Sequence, residues 1–180
     1  MDLSLPIGNG QLGAMIFGGI ECDEMQFNEK TVWTGRPNGI EKKADYGEYR
    51  NFGNLYISHR GITTDTKVTD YRRWLDIRNA VAGMTYSIDG VRYDREYIAS
   101  SPDGMIAVML RASGKEKINV DLLLKDGNTD YNGTASGTKI DKGNMTFKGK
   151  LTYLSYYCRV AVTPYGKKAK MSINDSTLTI

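Results

Sequence analysis

From residue 55 onward, short hydrophobic segments alternate with turn chemistry, and no stretch carries the period of a long helix. That rhythm limits the fold more than any other feature of the chain. Residues 80–88 alternate and end at Asp89-Gly90, a two-residue hairpin signal, and residues 91–99 complete the hairpin. Pro102-Asp103-Gly104 is a second turn, followed by a strand over 105–110. Ser113-Gly114-Lys115-Glu116 separates that strand from 118–124, where Val120, Leu122 and Leu124 repeat with period two. Residues 55–59, 68–77 and 154–163 read as strands, the second of them alternating. Lys142-Gly143-Asn144 turns a weak strand around Ile140 into one over 145–150, and Asn174-Asp175 turns 170–173 into 177–180. The polar section 126–137 is expected to be a long loop. About a dozen strands at roughly 8–12-residue spacing predict an all-β fold, a large antiparallel β-sandwich. At 180 residues the chain is expected to form one domain with a core of its own.

The N-terminal stretch LPIGNGQLGAMIFGG, residues 5–19, divides into two parts. Residues 5–10 set Pro6, Gly8 and Gly10 around Asn9 and read as a shaped, exposed loop. Residues 12–17 are continuously apolar and read as a buried strand. Residues 25–27 are the expected return strand, with Glu21-Cys22-Asp23 near the turn. The segment 28–34 is too polar for core yet carries Trp33, and Gly35-Arg36-Pro37-Asn38-Gly39 is turn chemistry. Residues 42–51, charged and tyrosine-rich, are expected to form a loop or one short helix.

Several function classes find no support. The net charge is only +3, and the basic clusters Arg72-Arg73 and Lys167-Lys168-Lys170 are not interleaved with aromatics on a helix, so no nucleic-acid partner is expected. No apolar run reaches membrane-spanning length, and no signal peptide is expected within this sequence. Cys22 and Cys158 lack CxxC spacing and are expected to be free thiols. Twelve tyrosines against four phenylalanines suit half-exposed sheet surfaces and carbohydrate contacts alike.

Catalytic machinery is equally sparse. His59 is the only histidine, so Ser-His and Cys-His arrangements would all depend on it; beside Arg60 it reads as a surface or capping residue. There is no HxxxH, no cysteine pair at ligand spacing and no EF-hand loop, so neither a metal nor a cofactor is expected. Carboxylate pairs suited to glycoside chemistry exist in principle, among Glu21, Asp23, Glu24, Asp70, Asp76, Asp89, Asp94, Glu96 and Asp103. Most sit in turns or on solvent faces, and Asp70 is expected to pair with a neighbouring arginine. Glu29 lies beside Asn28 and four residues before Trp33, where capping and function both fit. Asn9 between glycines makes a tight turn, or brings an amide close to a ligand. N-x-S/T triplets occur at Asn132, Asn144 and Asn174.

LPIGNGQLGAM together with QFNEKTVWTGRPN resembles the opening of the family 95 glycoside hydrolases, the α-L-fucosidase family. FGNLYI, VTDYRRWLDI and YSIDGVRYDREYIASSPDGMIAVMLRAS extend the resemblance over nearly the whole chain. The resemblance implies a galactose-mutarotase-like β-supersandwich that precedes an (α/α)6 barrel. In the family that barrel holds the catalytic carboxylates of an inverting mechanism, so no catalytic residue transfers to this chain. A longer parent polypeptide is expected, because the sequence stops inside its final strand. The implied partners are that downstream barrel and fucosylated or related glycans, and the implied parent is bacterial and secreted or periplasmic. Asn9, Gln11, Glu29, Trp33 and Arg36 are the candidates for a pocket rim or an interdomain contact. The segment 36–51 is shorter than in many members, which makes an α-L-galactoside a variant substrate. An autonomous carbohydrate-binding module and a domain needed for barrel folding are the other readings.

Overall fold

A computed structural model describes residues 3–36, 42–114, 118–129, 137–165, 170–174 and 177–180. Over these the chain forms fourteen strands: β1 (Leu5–Gly8), β2 (Leu12–Ile16), β3 (Cys22–Glu29), β4 (Gly53–His59), β5 (Thr69–Asp76), β6 (Val81–Ile88) and β7 (Val91–Ser100), then β8 (Met105–Ala112), β9 (Val120–Asp126), β10 (Lys139–Asp141), β11 (Asn144–Lys150), β12 (Ser155–Ala161), β13 (Ser172–Asn174) and β14 (Thr177–Thr179). A 3-10 helix spans Lys43–Tyr46, in the segment expected to be a loop or a short helix.

A seven-stranded sheet runs β1-β2-β3-β4-β9-β14-β13, all antiparallel. Strands β4 and β9 are neighbours in that sheet, and the four-stranded sheet β5-β6-β7-β8 is inserted between them in sequence. The three-stranded sheet β10-β11-β12 is inserted in the same way between β9 and the β13–β14 hairpin. Both small sheets cover one face of the large one. Met25, Phe27, Leu55, Ile57, Leu122 and Leu124 of the large sheet share a single core with Ala82 and Tyr97 of the four-stranded sheet and Met145 and Phe147 of the three-stranded one. The expected sandwich is therefore present, with one of its layers divided.

The hairpin signals carry their physical cause. Asp89 and Gly90 have φ of 49° and 77°, the pair of left-handed residues that matches the twist of the β6–β7 hairpin. Lys142 and Gly143 do the same for β10–β11, at 44° and 79°. The expected turn at 37–39, the triplet at Asn132, most of the 126–137 loop, Lys167-Lys168 and the Asp175 turn lie outside the described residues.

Three expectations are corrected. Residues 5–8 are a strand and not part of a loop: Pro6 pairs with Met15 at the edge of the sheet, where a residue without an N–H costs no ladder bond. Val32 is buried despite its polar neighbours. Asp70 has no arginine partner among the described residues. It sits at a register shift in β5 with φ of 55° and accepts from the Thr69 hydroxyl at 3.0 Å. Strand β5 is exposed over its first half, yet its alternation holds: Tyr71 and Arg73 reach the Gly18 and Phe17 carbonyls and Leu75 packs against the core.

A buried polar cluster joins the large sheet to the four-stranded one. Asp23, 1% exposed, accepts at Oδ1 from the Gly18 and Gly19 amides at 2.6 and 3.2 Å. Its Oδ2 accepts from the Tyr97 hydroxyl and lies 3.6 Å from Nη1 of Arg95, itself 3% exposed. Arg95 donates further to the Gly19 and Ile20 carbonyls at 3.2 and 3.4 Å and to the Tyr86 hydroxyl at 3.3 Å. Burial, and then the Asp23 charge, push the Tyr97 phenol far above its ordinary pKa, so it remains a donor. Tyr71 and Arg73 of β5 bond the Gly18 and Phe17 carbonyls.

Asp23→Ala leaves Arg95 buried and unpaired, and is expected to lower the unfolding free energy by about 3–5 kcal/mol in urea titrations. Both cysteines are free, as expected. Cys22 is exposed, whereas burial, and then Asp126, push the Cys158 thiol up to about 12. One thiol is therefore expected to react with a thiol reagent in the folded chain, and a second only after denaturation.

Candidate functional site

The five residues singled out from the sequence gather at one end of the seven-stranded sheet. Leu12 pairs with Glu29, so the β1–β2 turn and the turn after β3 lie side by side. The Lys30 amide donates to the Gln11 carbonyl at 3.0 Å and ties the two together.

Asn9 is committed to the fold. Its Oδ1 accepts from the Gln11 and Leu12 amides at 2.9 and 2.7 Å, and its Nδ2 donates to the Ser100 carbonyl at 2.8 Å. The side chain thus shapes its own turn and fastens it to the end of β7. Gln11 is exposed at the tip. Glu29 accepts at Oε2 from the Thr31 amide at 2.8 Å and from the Thr31 hydroxyl, which is the capping role its position suggested. Its field, second to partial burial, raises the Tyr49 phenol and so marks the two as neighbours.

Trp33 and Arg36 lie on the strap that leaves this turn. Val32 anchors the strap in the core, and the Arg50 amide donates to its carbonyl at 3.0 Å. Residues 32–36 then run beside residues 45–50: Thr34 N bonds Glu48 O at 3.1 Å, Glu48 N bonds Thr34 Oγ1 at 2.8 Å, and Arg36 N bonds Asp45 O at 2.9 Å. Trp33 pairs with Tyr49 in an isolated bridge, their rings 6.0 Å apart and tilted by 54°. The indole Nε1 donates to the Tyr46 carbonyl at 2.6 Å. The Arg36 side chain is exposed.

Beneath the strap lies a polar layer that the sequence reading missed. Asn128, buried, donates to the Asn51 carbonyl at 2.7 Å and accepts from Arg50 Nε at 3.2 Å. Asp126 accepts from the Asn128 amide at 2.8 Å and from the Tyr156 hydroxyl at 3.0 and 2.9 Å. Asn51 donates to Asn54 at 2.6 Å, and Asn54 to Glu24. No local pattern announced this layer, because the bonds that join its short-range pairs, from Asn128 to Asn51 and Arg50 and from Asp126 to Tyr156, span 30 to 78 residues.

Among the described residues, no group of three or more His, Cys, Asp or Glu could hold a metal ion, and no helix is long and apolar enough to cross a membrane. Asn144 binds the Asp141 and Lys142 carbonyls and accepts from Arg159 Nε at 2.9 Å, so its side chain is occupied within β11 and its turn. His59 stands apart from the strap end. It is half-buried, edge-on to Tyr93 at 4.9 Å, in a cleft with Tyr86, Asp94, Arg95 and Arg111. Its Nδ1 faces the Arg60 carbonyl at 3.2 Å, while Nε2 is buried without a hydrogen-bond partner.

Burial lowers the His59 pKa; the Arg60 carbonyl opposes this and the Arg95 charge adds to it. The unfolded chain then binds this proton more readily than the folded one. Stability from His59 is therefore complete above about pH 6.5 and lost as the pH falls toward the lower folded value. His59→Phe keeps the ring contact and is expected to flatten that part of the unfolding free energy against pH.

The family model of the glycosyl hydrolase family 65 N-terminal domain matches residues 1–48 and 38–180. Alpha-L-fucosidase 2 of Arabidopsis thaliana is 33% identical over 144 residues, covering 61% of this chain and 17% of that protein. A probable alpha-fucosidase A of Aspergillus oryzae is 26% identical over 219 residues, covering 97% of this chain and 30% of that protein. A probable alpha-fucosidase A of Aspergillus niger is 25% identical over 143 residues, covering 61% of this chain and 18% of that protein. The chain thus spans less than a third of the length of these relatives.

Proposed function

This chain belongs to the glycosyl hydrolase family 65 N-terminal domains, and on that premise we propose that it is the non-catalytic N-terminal module of an inverting glycosidase acting on α-L-fucosides. The module packs on a downstream catalytic barrel, and the turn-and-strap end of its large sheet contributes to the pocket rim. The relatives' names support the sugar class, and α-L-galactosides, which share the ring configuration, are the variant substrate. A bacterial, secreted or periplasmic parent belongs to the same reading, although the relatives named above are plant and fungal proteins.

One observation carries the non-catalytic assignment. The carboxylates at the candidate end serve the fold: Glu29 caps Thr31, Asp126 holds Tyr156 and Asn128, and Glu24 holds Asn54. Hydrolysis with inversion needs an acid and a base facing each other across roughly 6.5–9.5 Å of open site. Carboxylates bound into turns and sheet do not supply that pair.

The purified 180-residue chain is expected to release no nitrophenol from p-nitrophenyl α-L-fucoside above the buffer rate, while the full-length polypeptide hydrolyses it. Turnover by the chain alone would overturn the module reading. Failure of the full-length protein on this substrate, with hydrolysis of the α-L-galactoside, would move the assignment to the variant sugar.

A further inference from the structure

We propose that Trp33 and Tyr49 form a stacking subsite for the C–H face of a pyranose ring. The pair is exposed, Trp33 by 41% and Tyr49 by 48%. The one polar atom of the indole is already bonded, to the Tyr46 carbonyl. What Trp33 presents to solvent is therefore carbon. The two rings lie 6.0 Å apart with planes inclined by 54°, and the charged Glu48 and Arg50 flank Tyr49 in the strap. An apolar ring face bordered by hydroxyls fits such a surface: carbon stacks on carbon, and the hydroxyls meet the polar border.

The platform is held in place before any ligand arrives. A Cβ on Gly35 would lie 2.3 Å from the indole Nε1 and 2.3 Å from the Tyr46 carbonyl oxygen. Gly47, at φ of 66°, is packed against Gly35 so closely that its own Cβ would lie 2.0 Å from the Gly35 nitrogen. Two glycines in contact let residues 33–36 and 45–49 press together, and the paired backbone bonds fix the ring between them. A ring locked in this way has little freedom left to lose on binding.

The surroundings favour a sugar over a protein partner. Asp45, Glu48 and Arg50 interrupt the aromatics of the strap, and Glu48 and Arg50 are bonded to each other at 2.8 Å. Protein interfaces centre on a continuous apolar area depleted of charge. A pyranose on which C3–H, C4–H and C5–H lie on one side offers the widest matching face. That configuration is the substrate class proposed above, so the choice of sugar rests on that reading. The stacking does not.

The test titrates methyl α-L-fucopyranoside into the labelled chain and follows the two indole N–H resonances, assigned with Trp33→Phe and Trp74→Phe. Expected is a saturable shift of the Trp33 resonance at millimolar sugar, no comparable shift for Trp74, and none with glycerol. Tyr49→Ala, verified as folded by its urea midpoint, is expected to weaken the binding about tenfold. Absence of a saturable shift up to about 0.1 M sugar overturns the proposal, as does binding unchanged by Tyr49→Ala. Burial of Trp33 against the rest of the polypeptide is the competing result. It gives no shift with sugar, and broadening of the Trp33 resonance when the separately expressed remainder is added. Loss of the glycosidase reading would leave a positive titration intact, because binding needs no turnover.

Discussion

Asp23 and Arg95 face each other in the interior between the seven-stranded and four-stranded sheets, and the relation of the two sheets depends on them. An unpaired charge there would be ruinous, so each is enclosed by donors or acceptors of the right sign. The carboxylate gathers the Gly18 and Gly19 amides and the Tyr97 hydroxyl. The guanidinium takes the Gly19 and Ile20 carbonyls and the Tyr86 hydroxyl. The backbone at 17–20 therefore has its polar groups met from both sheets. Apolar packing elsewhere in the core tolerates some sliding, but this cluster specifies one position for the β2–β3 connection against β7.

Local chemistry was the part of the fold legible in the sequence. Asp89-Gly90 and Lys142-Gly143 announced their hairpins because a two-residue turn demands left-handed residues. Strand β9 was readable because Val120, Leu122 and Leu124 all face one core. Strand β1 was hidden, since Pro6 and two glycines carry the composition of a loop, and only the sheet edge makes a proline harmless there. Asp23 was hidden for the opposite reason. An acid near a turn is usually solvated, and nothing local indicates an arginine more than seventy residues away that will meet it.

The candidate site was legible in the same partial sense. The motif residues Asn9, Gln11, Glu29, Trp33 and Arg36 do converge on one end of one sheet. Their partners were not visible: Ser100 for Asn9, Tyr46 and Tyr49 for Trp33, and the Asn128 layer below. Knowing those partners divides the five by role. Asn9 and Glu29 spend their side chains on turns, whereas Trp33 is held rigid with its carbon face outward.

The bond from Asn9 to Ser100 has a bearing on how the chain leaves the ribosome. It joins positions 91 residues apart, and β4 cannot find β9 until the whole four-stranded sheet between them has emerged. The β6–β7 and β7–β8 hairpins pair only close neighbours and can form as they appear. Strands β1 to β4 must wait with an open edge, the condition in which nascent sheets aggregate. The order of synthesis thus places a sheet of local hairpins in the middle of the chain, where it can serve as the template on which the earlier strands settle.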